Sequence, residues 1–285
     1  VDPVPNAVSL RDGQVLLPGA TGPILRHSKS ALIGIVGAPD SGKTSLIARV
    51  YDNLQYVREE EPRFASSRTL VAFEKVCHGL RAASNVHRTP VAAQPHFYHL
   101  ALGNTKTGTI DTLLLADRAG ELYQALIDYP AQASTFIELR RSNVLNVLID
   151  GEKISEISTR VSVLASARQL IDVLSQTSEI VTNTRLNLVL TKLDRVRAAK
   201  AELDVDAALN VLAEGARHRQ ERGFQDIRIF KVAAVPASSD ALDGEGVQEL
   251  LGDWLSSLHQ VRGPAETPTM ISRRAMGRLG GEGSS

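Results

Sequence analysis

Cysteine is almost absent from this 285-residue chain: Cys77 stands alone. No intramolecular disulfide can form, and a reducing compartment, the cytoplasm, is the expected location. Charge of one sign is not in excess, with 32 Lys+Arg against 32 Asp+Glu. That balance gives no sign of the positive excess of a nucleic-acid binder, although it leaves room for a small basic patch. Aromatics make up 4% of the chain, too few for a base-stacking platform, so no nucleic-acid partner is expected. No apolar run reaches the roughly 18 residues of a membrane span, so no membrane insertion is expected. The start, "VDPVPNAVSLRDG", has no basic-then-apolar targeting layout, and the end, "GGEGSS", has no prenylation cysteine.

The texture along the chain suggests three parts. Residues 1–30, rich in Pro and Gly, read as a leader segment; 31–260 read as one folded domain; 261–285 are polar, small and Gly-rich, the composition of a disordered tail. Within the domain, "ALIGIVG" at 31–37 is a continuous apolar run fit for a buried parallel strand. Further strands are expected at 96–102, 112–117, 144–150, 186–192 and 227–235. Helices are expected at 121–142, 155–177, 195–222 and 245–259. This alternation predicts an α/β fold with a mostly parallel sheet. Residues 55–95 form a helical insertion before the second strand, its apolar side built from Leu70, Phe73, Val76, Cys77 and Leu80, and "REEE" at 58–61 reads as a solvated face.

Three short motifs carry chemistry. "GAPDSGKT", Gly37 to Thr44, has the G-x-x-x-x-G-K-T spacing and lies between an expected strand and an expected helix. Gly37 and Gly42 let the backbone wrap phosphate oxygens, and the loop amides, those of Asp40, Ser41 and Ser45 among them, supply partial positive charge. Lys43 brings a full charge to the β- and γ-phosphates, and the Thr44 hydroxyl suits Mg²⁺. The competing reading is a flexible turn with a surface lysine. "DRAGE" at 117–121 follows a strand: Asp117 suits a hydrated Mg²⁺, and the Gly120 amide suits a γ-phosphate. "TKLD" at 191–194 ends another strand. The Asp194 carboxylate matches the N1–H and exocyclic amine of guanine, a donor pair that adenine does not present. The Lys192 stem can lie along the base plane.

Together, "GAPDSGKT", "DRAG" and "TKLD" resemble the phosphate, Mg²⁺/γ-phosphate and guanine boxes of the Ras-like P-loop GTPases of the translation-factor-related class. Thr191 in place of the commoner Asn is similar to the Rho-type variant, and "DSGKT" is similar to the signal-recognition-receptor beta subunit. "FASSRTLVAFEKVCHGLRAAS" at 64–84, "RTP" at 88–90 and "DRAGE" resemble more narrowly the bacterial double-GTPase family linked with conflict and phage-defence gene neighbourhoods. The resemblance implies a three-layer Ras-like fold with six strands, one antiparallel, and nucleotide at the carboxyl ends. It implies GTP or GDP with Mg²⁺ as ligands, and protein partners. A fourth box would fall at Ala233 and Ala234. The switch threonine, which would touch Mg²⁺ and the γ-phosphate, is expected at Thr89, with Thr69 as the competitor.

Where Ras-like enzymes place Gln after D-x-x-G, this chain has Glu121. A carboxylate accepts from water but repels a γ-phosphate, and Pro39 crowds the approach of an outside group. Arg118, Arg88 and Arg68 are near enough in sequence to act as an arginine finger in cis, although each also fits a surface role. Slow intrinsic GTP hydrolysis is therefore expected. The alternatives are a nucleotide-bound scaffold with little hydrolysis, and a P-loop kinase, which would have no use for Asp194. Cys77, His78, His87, His96 and His99 are discounted as zinc ligands: no C-x-x-C exists, and residues three apart on a strand face opposite ways.

Overall fold

The computed structural model describes residues 13–27, 29–56, 62–81, 94–104, 108–177, 184–218, 224–235 and 244–259. The alternation read from the sequence is realised as strands β1 (Ser30–Gly37), β2 (Arg63–Ser66), β3 (His96–Asn104), β4 (Thr109–Asp117), β5 (Val144–Asp150), β6 (Thr184–Thr191) and β7 (Phe224–Lys231). They form one sheet in the order β2-β3-β4-β1-β5-β6-β7. Strand β1 pairs parallel with β4 and β5, and β5, β6 and β7 continue in parallel. The β2–β3 and β3–β4 pairs are antiparallel.

The expected six strands are thus corrected to seven among the described residues, while the one expected antiparallel strand is β3, which runs against both of its neighbours. The added strand, β2, lies inside the stretch read as a helical insertion. It is an edge strand held to β3 by backbone pairing, and its residues are exposed or half-buried. Helix α3 (Leu70–Arg81) is the helical part of that stretch.

Alternation along the strands sorts side chains onto two faces. Ala31, Ile33 and Ile35 point to one face, where α2 (Lys43–Tyr56), α3 and α10 (Val247–Ser256) bring Leu46, Ile47, Phe73, Leu250 and Trp254. Leu145, Val147 and Ile149 point to the other, beneath α4 (Gly120–Asp128), α7 (Ile157–Gln176) and α9 (Glu202–Arg217). The result is three layers.

Residues 13–27, expected to belong to a leader outside the domain, pack on it instead. Leu16 bridges Phe97 of β3, and α1 (Pro18–His27) sets Ile24 against Leu32, Phe97 and Leu114. Two of the expected helices are broken. The span 121–142 becomes α4, a 3-10 turn at Pro130–Thr135 and α5 (Ile137–Arg141), because Pro130 has no N–H to continue α4. The span 155–177 is α7, with the short α6 (Gly151–Ser155) before it. The span 195–222 divides into α8 (Leu193–Ala198) and α9 where Lys200 takes φ 52°.

Because β1, β4, β5, β6 and β7 run in parallel, their carboxyl ends meet at one edge of the sheet. Gly37, Asp117, Asp150, Thr191 and Lys231 terminate them. That edge is where ligands bind in open α/β sheets.

Candidate nucleotide site

The phosphate loop sits between the end of β1 at Gly37 and the start of α2 at Lys43. Its backbone is bent by left-handed residues, Asp40 at φ 62° and Gly42 at φ 90°. With α2 opening beyond it, the loop has the bent backbone of an anion nest, and the Ser41 amide donates to the Ala38 carbonyl at 3.3 Å. Lys43 is buried and folds back over the loop. Its ammonium donates to the carbonyls of Gly37 at 3.0 Å and Ala38 at 2.9 Å.

Burial pulls the Lys43 ammonium below the ordinary lysine range, and the negative charges of Asp117, Glu121 and Asp40 oppose that pull without cancelling it. The native state therefore holds this proton less tightly than the unfolded chain does. Its contribution to stability rises with pH across the window between the lowered value and 10.5. A bound polyanion restores the proton. Net proton uptake on nucleotide binding is expected in that alkaline window and not near neutrality, measured by calorimetry in buffers of different ionisation enthalpy. Binding without uptake there would contradict it.

Beside the loop, β4 delivers Asp117, which is buried, and the Thr44 hydroxyl donates to its Oδ2 at 3.3 Å. A carboxylate and a hydroxyl at this separation are the hard-oxygen donors that Mg²⁺ takes from protein, its other positions going to water and phosphate. The donor set fits the ion. Gly120 follows at the start of α4 and is pressed against the phosphate loop. A Cβ there would lie 2.4 Å from the Pro39 nitrogen and 2.5 Å from the Ala38 carbonyl carbon. The second motif is thus in backbone contact with the first. Glu121, next in sequence, is exposed.

The third motif also touches the loop. The Thr191 hydroxyl, buried at the end of β6, lies 2.9 Å from the Ser41 carbonyl and 3.2 Å from that of Ile149. Lys192 takes φ 53°, and its ammonium binds Asp150 at 2.9 Å and Glu152 at 3.1 Å. Burial draws this ammonium down, but the two carboxylates outweigh it and raise it above the ordinary value. The Asp194 side chain, 7% exposed, lies in the first turn of α8 with the Arg195 guanidinium 3.9 Å away. Ala233 and Ala234 follow β7 alongside: the Leu193 amide donates to the Val232 carbonyl at 3.1 Å, and the Ala234 carbonyl accepts from Arg49 at 2.6 Å.

Sequence reasoning missed Asp150. Its Oδ1 accepts from the amides of Glu152 and Lys153, capping α6, while its Oδ2 takes Lys192. One side chain therefore joins the 191–194 loop to the end of β5. The signal was present as an Asp at a strand end, before a Gly and an acidic first turn.

Thr89 and Arg88 lie outside the described residues, as do His87, residues 58–61 and the stretch 261–285. Thr69 is fully buried. Its hydroxyl accepts from the His99 amide at 2.9 Å and lies 3.2 Å from the Ser67 hydroxyl, and its carbonyl starts α3 by accepting from Phe73. Those contacts give Thr69 a turn-and-cap role in this structure. The Arg68 amide donates to His99 Nδ1 at 3.1 Å. Arg118 is neither a surface residue nor aimed outward. It is 4% exposed and paired with the fully buried Glu138 at 2.5 Å. Cys77 is buried, its thiol 3.4 Å from the Ala48 carbonyl.

Among the described residues no helix is long and apolar enough to cross a membrane. A search of curated proteins finds no match for the chain. Among solved structures it is similar to a bacterial selenocysteine-specific elongation factor, EF-Sec, at 13% identity and a TM-score of 0.40. The match covers 81% of this chain and 29% of that one, so this chain spans under a third of the factor's length. The model of one protein family, Double-GTPase 2, matches residues 31–255, which hold all three motifs and the sheet that carries them. The chain belongs to the Double-GTPase 2 family.

Proposed function

We propose that this chain is a Mg²⁺-dependent guanine-nucleotide switch that hydrolyses GTP slowly and acts with partner proteins in the cytoplasm, within a bacterial defence system. The observation that carries the reading is the hydrogen bond from the Thr191 hydroxyl to the Ser41 carbonyl, 2.9 Å. It ties the loop bearing Asp194 to the loop bearing Lys43, so a purine reader and a polyphosphate cradle would stand side by side. GTP is the substrate that fits both. The amides of the phosphate loop and Lys43 bind its phosphates, Gly120 faces the γ-phosphate, and Asp194 and Lys192 hold the base. Thr44 and Asp117 would hold Mg²⁺, with Thr89 as the candidate switch ligand; when bound, the ion neutralises charge on the β- and γ-phosphates.

Thermal melting in the presence of GTP, GDP or ATP, each with and without EDTA, tests the reading. GTP and GDP are expected to raise the midpoint, ATP is not, and EDTA is expected to shrink the GTP shift. Equal protection by ATP would refute it.

A second reading, a nucleotide-bound scaffold with little hydrolysis, is favoured by Glu121 at the water-orienting position and by the burial of Arg118 in an ion pair, which removes it as an arginine finger. Nucleotide recovered from gently purified protein separates the two: GDP supports the switch and intact GTP the scaffold. Single-turnover hydrolysis by the isolated chain is expected to be slow and to rise with a partner protein.

A further inference from the structure

Arg118 and Ala119 are the only residues between Asp117, at the end of β4, and Gly120, at the start of α4. Both are buried, at 4% and 2% exposure. The Arg118 guanidinium meets Glu138 twice, Nε to Oε1 at 2.5 Å and Nη2 to Oε2 at 3.0 Å. Its carbon lies 4.0 Å from the centre of the Phe136 ring. The Tyr123 hydroxyl, on α4, donates to the same Glu138 Oε1 at 3.3 Å. One carboxylate therefore holds the loop before Gly120 and the helix after it.

Glu138 is anchored in turn to the central strand. It lies on α5, and its carbonyl accepts from both the amide and the hydroxyl of Ser142. The next residue, Asn143, exchanges hydrogen bonds with Leu32 of β1: its amide donates to the Leu32 carbonyl at 2.8 Å, and its side-chain oxygen accepts from the Leu32 amide at 3.0 Å. The path Leu32–Asn143–Glu138–Arg118 thus runs from the strand that carries the phosphate loop to the residues just before Gly120. A buried ion pair is weak evidence for stability, since apolar residues of similar volume often serve as well. What the fork-to-carboxylate pair adds is direction, because a bidentate guanidinium fixes orientation as well as distance.

Resting on the switch reading above, we propose that Glu138 is a positioning residue for γ-phosphate recognition: through Arg118 and Tyr123 it holds the 117–120 turn so that the Gly120 amide meets the terminal phosphate. The α- and β-phosphates and the base are bound by other loops. Loss of the clamp therefore changes the preference for triphosphate over diphosphate and leaves diphosphate binding intact.

The test compares the affinities of wild type, Glu138→Gln and Arg118→Lys for GDP and for a non-hydrolysable GTP analogue, with Mg²⁺ present. Glu138→Gln keeps the shape and removes the charge; Arg118→Lys keeps the charge and removes the fork. The analogue-to-GDP preference is expected to fall about 10- to 100-fold relative to wild type, the loss typical of a group displaced by about 1 Å. GDP affinity is expected to stay within about twofold. A preference unchanged in a variant that binds GDP as wild type does overturns the proposal, and so does an equal loss of both nucleotides, which marks a purely structural role. If Glu138→Gln does not fold, Arg118→Lys decides alone. Failure of the wild type to bind guanine nucleotides sinks the switch reading instead, so the two failures are distinct.

Discussion

Asp194→Asn is expected to lower GTP affinity by about 10⁴-fold, roughly 5.5 kcal/mol, while raising affinity for xanthosine triphosphate. The Asp194 side chain is almost closed to solvent at 7% exposure. Ionised, it offers only acceptors, and the guanine N1–H and exocyclic amine offer only donors. Asn turns one acceptor into an N–H that faces the exocyclic amine, so two donors oppose each other without water to relieve them. Xanthine carries a carbonyl at that position and restores the match. The substitution keeps shape and volume in the first turn of α8, so the fold is expected to persist. Titration calorimetry with the guanine, xanthine and adenine triphosphates measures the exchange. An Asn variant that keeps wild-type GTP affinity would show that Asp194 does not read the base, and with it the switch reading would fail.

The three chemical motifs were legible because their signals are local. A buried strand reads as an apolar run, a nest needs glycine and lysine at fixed spacing, and each motif closes a strand whose carboxyl end the parallel topology brings to one edge. What the sequence hid is set by partners far along the chain. Strand β2 has four residues and one half-buried apolar side chain, Phe64, so no period of two announces it; backbone pairing with β3 creates it. The helix breaks at Pro130 and Lys200 fall inside stretches whose apolar spacing carries on, and spacing alone merges them. Arg118 looks like a surface charge until Glu138, twenty residues away, is folded beneath it. Leu16 and Ile24 read as isolated apolars in a leader because the surface they cover, Phe97 and Leu114, is formed by strands about 70 to 100 residues later. Asp150 had a local signature, yet its role as the seat of Lys192 depends on β5 and β6 lying side by side.

That adjacency makes Gly151 the site of the second large effect. Gly151→Ala is expected to weaken GTP and GDP alike by about 100-fold, the scale of a binding group misplaced by about 1 Å. A Cβ at this position would lie 2.2 Å from the Thr191 carbonyl oxygen, 2.9 Å from Val196 Cγ2 and 3.1 Å from the Lys192 carbonyl oxygen. Two of these neighbours are backbone, so the strain cannot relax by rotating a side chain; the 191–194 loop must retreat or α6 must shift. Either movement parts Thr191 from Ser41 and Lys192 from Asp150, two of the contacts that hold the 191–194 loop in place. The phosphate loop keeps its own strand and helix, so magnesium-dependent discrimination between triphosphate and diphosphate is expected to survive. Base discrimination is expected to fall, with ATP and GTP drawing closer in affinity. Competition binding with all three nucleotides checks both halves. A variant with full guanine preference would mean that the loop absorbs the methyl group without moving Asp194, and that the packing of Gly151 against Thr191 has no part in reading the base.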